Sequence, residues 1–159
     1  METLSIFKED VYTEIAQTTS YTGAKMDEET SAYDRIFTTD EDRGQLERFW
    51  RESCVAVCEA MARWLRNDDV IENTTGDVIG HKFDMEFSGR FEKALLPSME
   101  QELRSYFVMN IIGKWFVFTN KEGVEGYMTA AAGLLNGLRA KACFKQRPQR
   151  PEFSKNKEA

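Results

Sequence analysis

Apolar residues recur at helical spacing through much of this chain, and the longest such run extends from Ser98 to Phe144. Its first arm carries Met99, Leu103, Tyr106, Phe107, Ile111, Trp115 and Phe118 on one stripe, with Val108, Ile112, Phe116 and Val117 off it. A helix apolar around most of its circumference is central in a bundle or buried in an oligomer interface. The arm is short for a membrane span and carries Asn110 and Lys114, so a membrane span is not expected. Pro97 suits a helix start better than an interior, and Ser98-x-x-Gln101 matches a capping box. The alternative is one longer helix from Arg90, kinked at Pro97. After a break at Thr119-Asn120-Lys121, the second arm opens on another capping-box match, Thr119-x-x-Glu122. Its stripe is Val124, Tyr127, Met128, Ala131, Leu134, Leu135, Leu138 and Ala142. The short connection makes the two arms antiparallel neighbours. Small residues crowd the second arm at Ala130, Ala131, Ala132, Gly133 and Gly137. Each glycine costs a helix about 1 kcal/mol relative to alanine. Close packing of these small residues against Trp115, Phe116 and Phe118 is the expected compensation.

Upstream, Leu4, Phe7, Val11 and Ile15 predict a first amphipathic helix over Leu4–Thr18, broken by Thr19–Lys25. Met26 to Phe37 is acidic and reads as a short helix or a loop anchored by Tyr33, Ile36 and Phe37. Thr38-Thr39-Asp40 supplies cap residues, and acids from Asp40 to Glu47 suit a helix N-terminus. A strong helix is predicted from about Asp40 to Arg66, with a stripe running from Leu46 through Phe49, Trp50, Cys54, Val57, Cys58 and Met61 to Trp64 and Leu65. Residues 70–80 then read as a β-hairpin or a mobile loop around Asn73-Thr-Thr-Gly76-Asp77. From His81 the pattern alternates strictly, with Phe83, Met85 and Phe87 on one side and Lys82, Asp84 and Glu86 on the other, as in a half-buried strand. A two-stranded element alone is marginal, so this one must lean on the helices or on a partner chain. It is the best candidate for a functional projection.

The chain of 159 residues, 42% hydrophobic and 30% charged, is expected to fold as one domain over residues 1–145. A domain of this size buries roughly 70% of the surface its unfolded chain exposes. Residues 146–159 form a basic tail in which Pro148 and Pro151 stop any helix, and disorder is expected there. The net charge is −6 overall, with the acids concentrated between Asp27 and Glu52 and the bases after Arg139. A basic tail can touch nucleic acid, or pair with the acidic segment of a neighbouring subunit. Cys54, Cys58 and Cys143 show no framework spacing, and Cys54 and Cys58, four apart on a predicted helix, read as core thiols. The N-terminus has no signal-peptide pattern, and synthesis in a reducing, cytoplasmic compartment is expected.

Motifs for catalysis are absent from the sequence. There is no Gly-x-x-x-x-Gly-Lys, no Gly-x-Gly-x-x-Gly and no Gly-x-Ser-x-Gly. His81 is the only histidine, which leaves little for a triad or a metal site, and no cofactor is expected. The acids at Asp40, Glu41 and Asp42 fit a helix start better than a metal site, and Glu100/Glu102 and Glu122/Glu125 are placed on exposed faces.

The block Tyr106-x-x-x-Asn110-Ile-Ile-x-Lys114-Trp-Phe-x-x-Thr-Asn-Lys121, followed by Tyr127, Ala131 and Leu134-Leu135 and closed by Arg147-Pro-x-Arg-Pro151, resembles a group of small helical proteins. These are encoded among the virion structural genes of prophages in gut bacteria, in the neck or head–tail joining region. The resemblance implies a non-enzymatic connector that forms an oligomeric ring, with portal or tail components as partners and the virion as its destination. It supplies no catalytic residues.

Together these readings predict a mainly α protein, an up-and-down helical bundle with a small β-hairpin or strand insertion around residues 70–87. The expected role is structural assembly and self-association. Interaction is expected through Phe83, Met85, Phe87, Arg147 and Arg150. The alternative is a helical regulatory or nucleic-acid-binding module.

Overall fold

The computed structural model describes residues 1–25 and 38–148. Among them are four α-helices and a three-stranded antiparallel sheet, a mainly α fold with a small β element. The expectations for residues 26–37 and for most of the tail lie outside the described residues.

The chain opens on strand β1 (Glu2–Phe7) and passes directly into helix α1 (Lys8–Lys25). The expected helix over Leu4–Thr18 is therefore corrected in its first turn. Leu4 and Phe7 fit a helical stripe with Val11 and Ile15, but Leu4 and Ile6 also alternate with Thr3, Ser5 and Phe7. Pairing with the alternating strand β3 decides between the two periods. In register, Leu4 lies opposite Phe83 and Ile6 opposite His81. All the buried faces are used: Leu4, Ile6, Val11 and Ile15 are each 3% exposed or less.

Helix α2 (Arg43–Ala60) follows a one-turn 3-10 segment at Asp40–Asp42, where the Asp42 carboxylate accepts a 2.8 Å hydrogen bond from the Thr39 N–H. The acidic helix start is as expected. The helix ends earlier than Arg66, because Trp64 and Leu65 turn out of it into strand β2 (Leu65–Glu72). Strand β3 (Val78–Met85) returns through a turn at Asn73–Asp77, in which the Asn73 side chain accepts from the Thr75 and Asp77 N–H groups at 2.9 Å each. Gly76 takes a φ of 85° there, which a side chain would resist. The sheet order is β1-β3-β2, so the expected two-stranded element gains its support from the N-terminal strand.

Helix α3 (Leu96–Thr119) is the central helix, packed against α1, α2, β1 and the last helix, α4 (Val124–Ala142). Met99, Leu103, Phe107, Ile111, Ile112 and Phe116 are fully buried. The helix begins at Leu96, with Pro97 in its first turn. Neither expected capping box forms. Ser98 instead accepts a 2.6 Å hydrogen bond from Lys141, and Thr119 ends α3 with its hydroxyl donating to the Trp115 carbonyl at 3.1 Å. α3 and α4 form the expected antiparallel pair. Residues from the sheet and all four helices belong to one buried cluster.

Candidate functional site

Two of the five expected interaction residues are core residues. Phe83 and Met85 are 0% exposed, because the inner face of β3 packs into the core formed with the helices. Their alternation signals burial within this chain and leaves nothing for a partner to touch. Phe87 is half-buried and stacks on Phe91, with ring centroids 4.2 Å apart. Arg147 is exposed at the end of a short strap, residues 144–146, laid antiparallel on residues 90–92. In that strap the Gln146 N–H donates to the Arg90 carbonyl at 2.8 Å, and the Arg90 guanidinium donates to the Gln146 carbonyl at 3.0 Å. Arg150 lies outside the described residues. The five therefore do not form one surface, and the strap had no signal in the hydrophobic pattern.

The surface that stands out is on α4. Only Ala131, Leu138 and Ala142 of this helix are buried. From Gly126 to Leu138 it has no charged side chain, although Gly126, Met128, Thr129, Ala130, Ala132, Gly133 and Asn136 are exposed. The small residues are thus not all packed under the aromatic side chains of α3, as expected. A Cβ on Gly126 or Gly133 would meet nothing within 4 Å. Close approach occurs elsewhere, at Gly113 of α3, where a Cβ would fall 2.6 Å from the Met128 sulfur, and at Gly123, 2.7 Å from the Phe116 ring. At the nearby end of α3, Phe118 is 69% exposed and Val117 is 47% exposed. Phe118 belongs to the expected stripe but faces out, and Phe116, expected off it, faces in.

A groove of about 790 Å³ lies between α1, the start of α2 and the hairpin. Lys8 Nζ lies 2.6 Å from Glu47 Oε2, and the Tyr12 hydroxyl donates to Glu47 Oε1 at 3.1 Å. The Arg43 guanidinium sits 4.9 Å from the Tyr12 ring centroid. Burial, and then the Glu47 carboxylate, push the Tyr12 phenol well above its ordinary pKa, so it stays a hydrogen-bond donor. His81 pairs with Asp68 at 3.1 Å and rests against Phe83. Cys54 is buried, which pushes its thiol up to about 12, and Cys58 is raised for the same reason. Cys143 is exposed. Among the described residues no group of three or more His, Cys, Asp or Glu side chains is placed to hold a metal ion. No helix among them is long and apolar enough to cross a membrane.

Comparison with known proteins finds no matching family model, no matching curated protein and no matching solved structure.

Proposed function

We propose that this protein is a non-enzymatic assembly component that works through protein–protein contacts. The observation that carries the reading is the uncharged, exposed face of α4. Surface helices ordinarily carry charged residues on the side that faces water. Here that side is a run of Gly, Ala and Thr, continuous with Met128 and close to the exposed Val117 and Phe118. Two of its glycines have no neighbour among the described residues that would require them. A partner helix approaching closely gives such residues a purpose.

The more specific form of the proposal rests on the resemblance to prophage neck proteins. It makes the chain a head–tail connector that assembles into a ring beside portal or tail components. A ring needs two different patches on each subunit, so that each contact is head-to-tail. The test is native mass spectrometry of the purified chain across a concentration series at low and moderate salt, beside Ala130→Glu. A ring-sized oligomer in the parent chain, lost in Ala130→Glu with an unchanged melting temperature, is expected. A strict monomer that binds duplex DNA with a steep salt dependence would replace this reading with the nucleic-acid-binding one.

A further inference from the structure

The two edges of the sheet differ in a way that singles out one of them. A free edge strand offers unpaired N–H and C=O groups to any passing chain, and proteins blunt such edges with charges and bulges. Strand β2 is blunted. Its pairing with β3 is irregular at Leu65/Asn67 and again at Ile71/Glu72. It carries Asp68, Asp69 and Glu72, and the Asp69 carboxylate accepts from the neighbouring Val70 N–H at 2.9 Å. Strand β1 has no bulge and no acidic run, and of its outward N–H groups that of Ser5 is met by the Glu100 carboxylate of α3. Its register with β3 runs from Glu2 to Phe7 without a bulge, and Glu2 is its only charged residue.

Beside that regular edge lies a crevice of about 320 Å³, walled by β1 on one side and the first turns of α3 on the other. Ser5 shows which backbone groups face it. Its N–H points away from β3 and finds only a 3.5 Å contact with the Glu100 carboxylate. By strand alternation the N–H groups of Thr3 and Phe7 point the same way. Asp10 and Glu100 line the crevice against a single Arg104, so its walls favour a basic occupant. An edge strand facing a helix across a crevice can take up an extended peptide, with the backbone supplying affinity and the walls supplying selectivity.

The chain itself ends in a candidate. Gln146 is fastened to Arg90, three residues before Lys93, whose amine lies 2.7 Å from Glu2 at the start of β1. The sequence beyond Arg147 contains Arg150, Lys155 and Lys157, against Glu152 and Glu158. Fully extended it reaches roughly 40 Å, twice what is needed to run along β1. Leaving from the Glu2 end, it would run parallel to β1 of its own chain. The segment from a neighbouring copy can enter in the antiparallel sense shared by the rest of this sheet, which is the more stable pairing per residue.

We propose that the regular edge of β1 and the crevice beside Glu100 receive the segment that follows Arg147, with its Arg150, Lys155 and Lys157, from a second copy of this chain, added as a fourth strand. This rests on the assembly reading, and supplies the head-to-tail contact that a ring requires.

The experiment is hydrogen exchange on the full-length chain across the concentration series used for native mass spectrometry. Exchange of the Thr3, Ser5 and Phe7 amides should slow by on the order of tenfold or more as the oligomer forms. The triple variant Arg150→Glu/Lys155→Glu/Lys157→Glu, which leaves every described contact in place, should lose both the protection and the oligomer. Ser5→Pro should do the same, since proline is tolerated at an outward-facing edge position. If the chain assembles while these amides exchange equally fast at every concentration, strand exchange is overturned and assembly stands. Protection already complete in the monomer would mean that the segment fills its own crevice, and would also overturn the exchange between copies. A chain that never assembles, with these amides unprotected, overturns both readings.

Discussion

Asn110 of α3 donates a 2.8 Å hydrogen bond to the hydroxyl of Ser53 on α2, and both residues are buried. The Ser53 hydroxyl in turn donates to the Phe49 carbonyl at 2.8 Å. This chain of bonds crosses the interior where an unpaired polar group would be costly, and it fixes the register of one helix on the other. Ser53→Ala leaves the Asn110 amide short of a partner and should cost about 1–3 kcal/mol in urea unfolding. Asn110→Leu tests the same bond from the other side. The double variant should lose clearly less than the sum of the two, since the interaction can be removed only once. Additive losses would mean that the two side chains are not coupled.

Glycines of this chain divide into those held by their surroundings and those that are not. Gly80 sits opposite Phe7 in the sheet, and an added Cβ would run into the Ile6 carbonyl oxygen, a backbone atom that cannot step aside. Gly80→Ala should therefore destabilise the fold by about 1–3 kcal/mol. Gly133→Ala should do the reverse, raising the stability of the monomer by about 1 kcal/mol, because the site is open and helical. Thermal unfolding at a concentration where the chain is monomeric separates the two. Destabilisation by Gly133→Ala would show that the glycine serves the isolated subunit after all.

Lys114 reaches from α3 to α2, where its amine lies 2.7 Å from the Glu52 carboxylate. This hydrogen bond is the largest of the effects that hold the Glu52 pKa below its ordinary 4.5, ahead of the contact from Arg48. A carboxylate depressed in the folded state contributes stability that is present above 4.5 and is lost as the pH falls through the lower, folded value. The contribution of Glu52 to stability should thus be present from neutral pH down to about 4.5 and decline below it. Carboxyl NMR titration should place Glu52 below the ordinary range in the parent chain and nearer to it in Lys114→Gln. An unchanged Glu52 titration would remove the pair from the account.

The three thiols should react in an order set by burial. Cys143 is exposed, Cys58 half-buried and Cys54 buried. At pH 8 a thiol at about 12, as at Cys54, has almost no thiolate, and the thiolate is the nucleophile. Maleimide labelling read by mass spectrometry should modify Cys143 first, Cys58 more slowly, and Cys54 only at the rate of unfolding. Labelling of Cys54 ahead of Cys143 would contradict the placement of α2.

Helical spacing located the long pair α3–α4 and the core of α2 well, because an apolar stripe of three turns or more has few other ways to be buried. The β-hairpin was equally legible from the alternation after His81 and the Asn73–Asp77 turn. Three features were not legible, each for a physical reason. Leu4 fits both periods, with Phe7 in a helix and with Ile6 in a strand, and only pairing with a distant strand chooses between them. Ser98 and Thr119 have the right residues at the right spacing for capping, but Lys141 and the Trp115 carbonyl compete for their hydroxyls. Phe83 and Met85 looked like one face of a projection, because the alternation does not say which side of a strand is covered, or by what. The uncharged face of α4 was visible as a cluster of small residues. Its direction, away from the aromatic side chains of α3, required the fold.

Thr3 and Asp84, joined by a 2.6 Å hydrogen bond across the β1–β3 pair, are 81 residues apart in sequence. Bringing the ends of such a loop together costs on the order of 4 kcal/mol in chain entropy. The α3–α4 pair pays almost none of this, since its partners are neighbours. Closure of the sheet is therefore expected to be slower than pairing of α3 with α4, with β1 among the last elements to find its place.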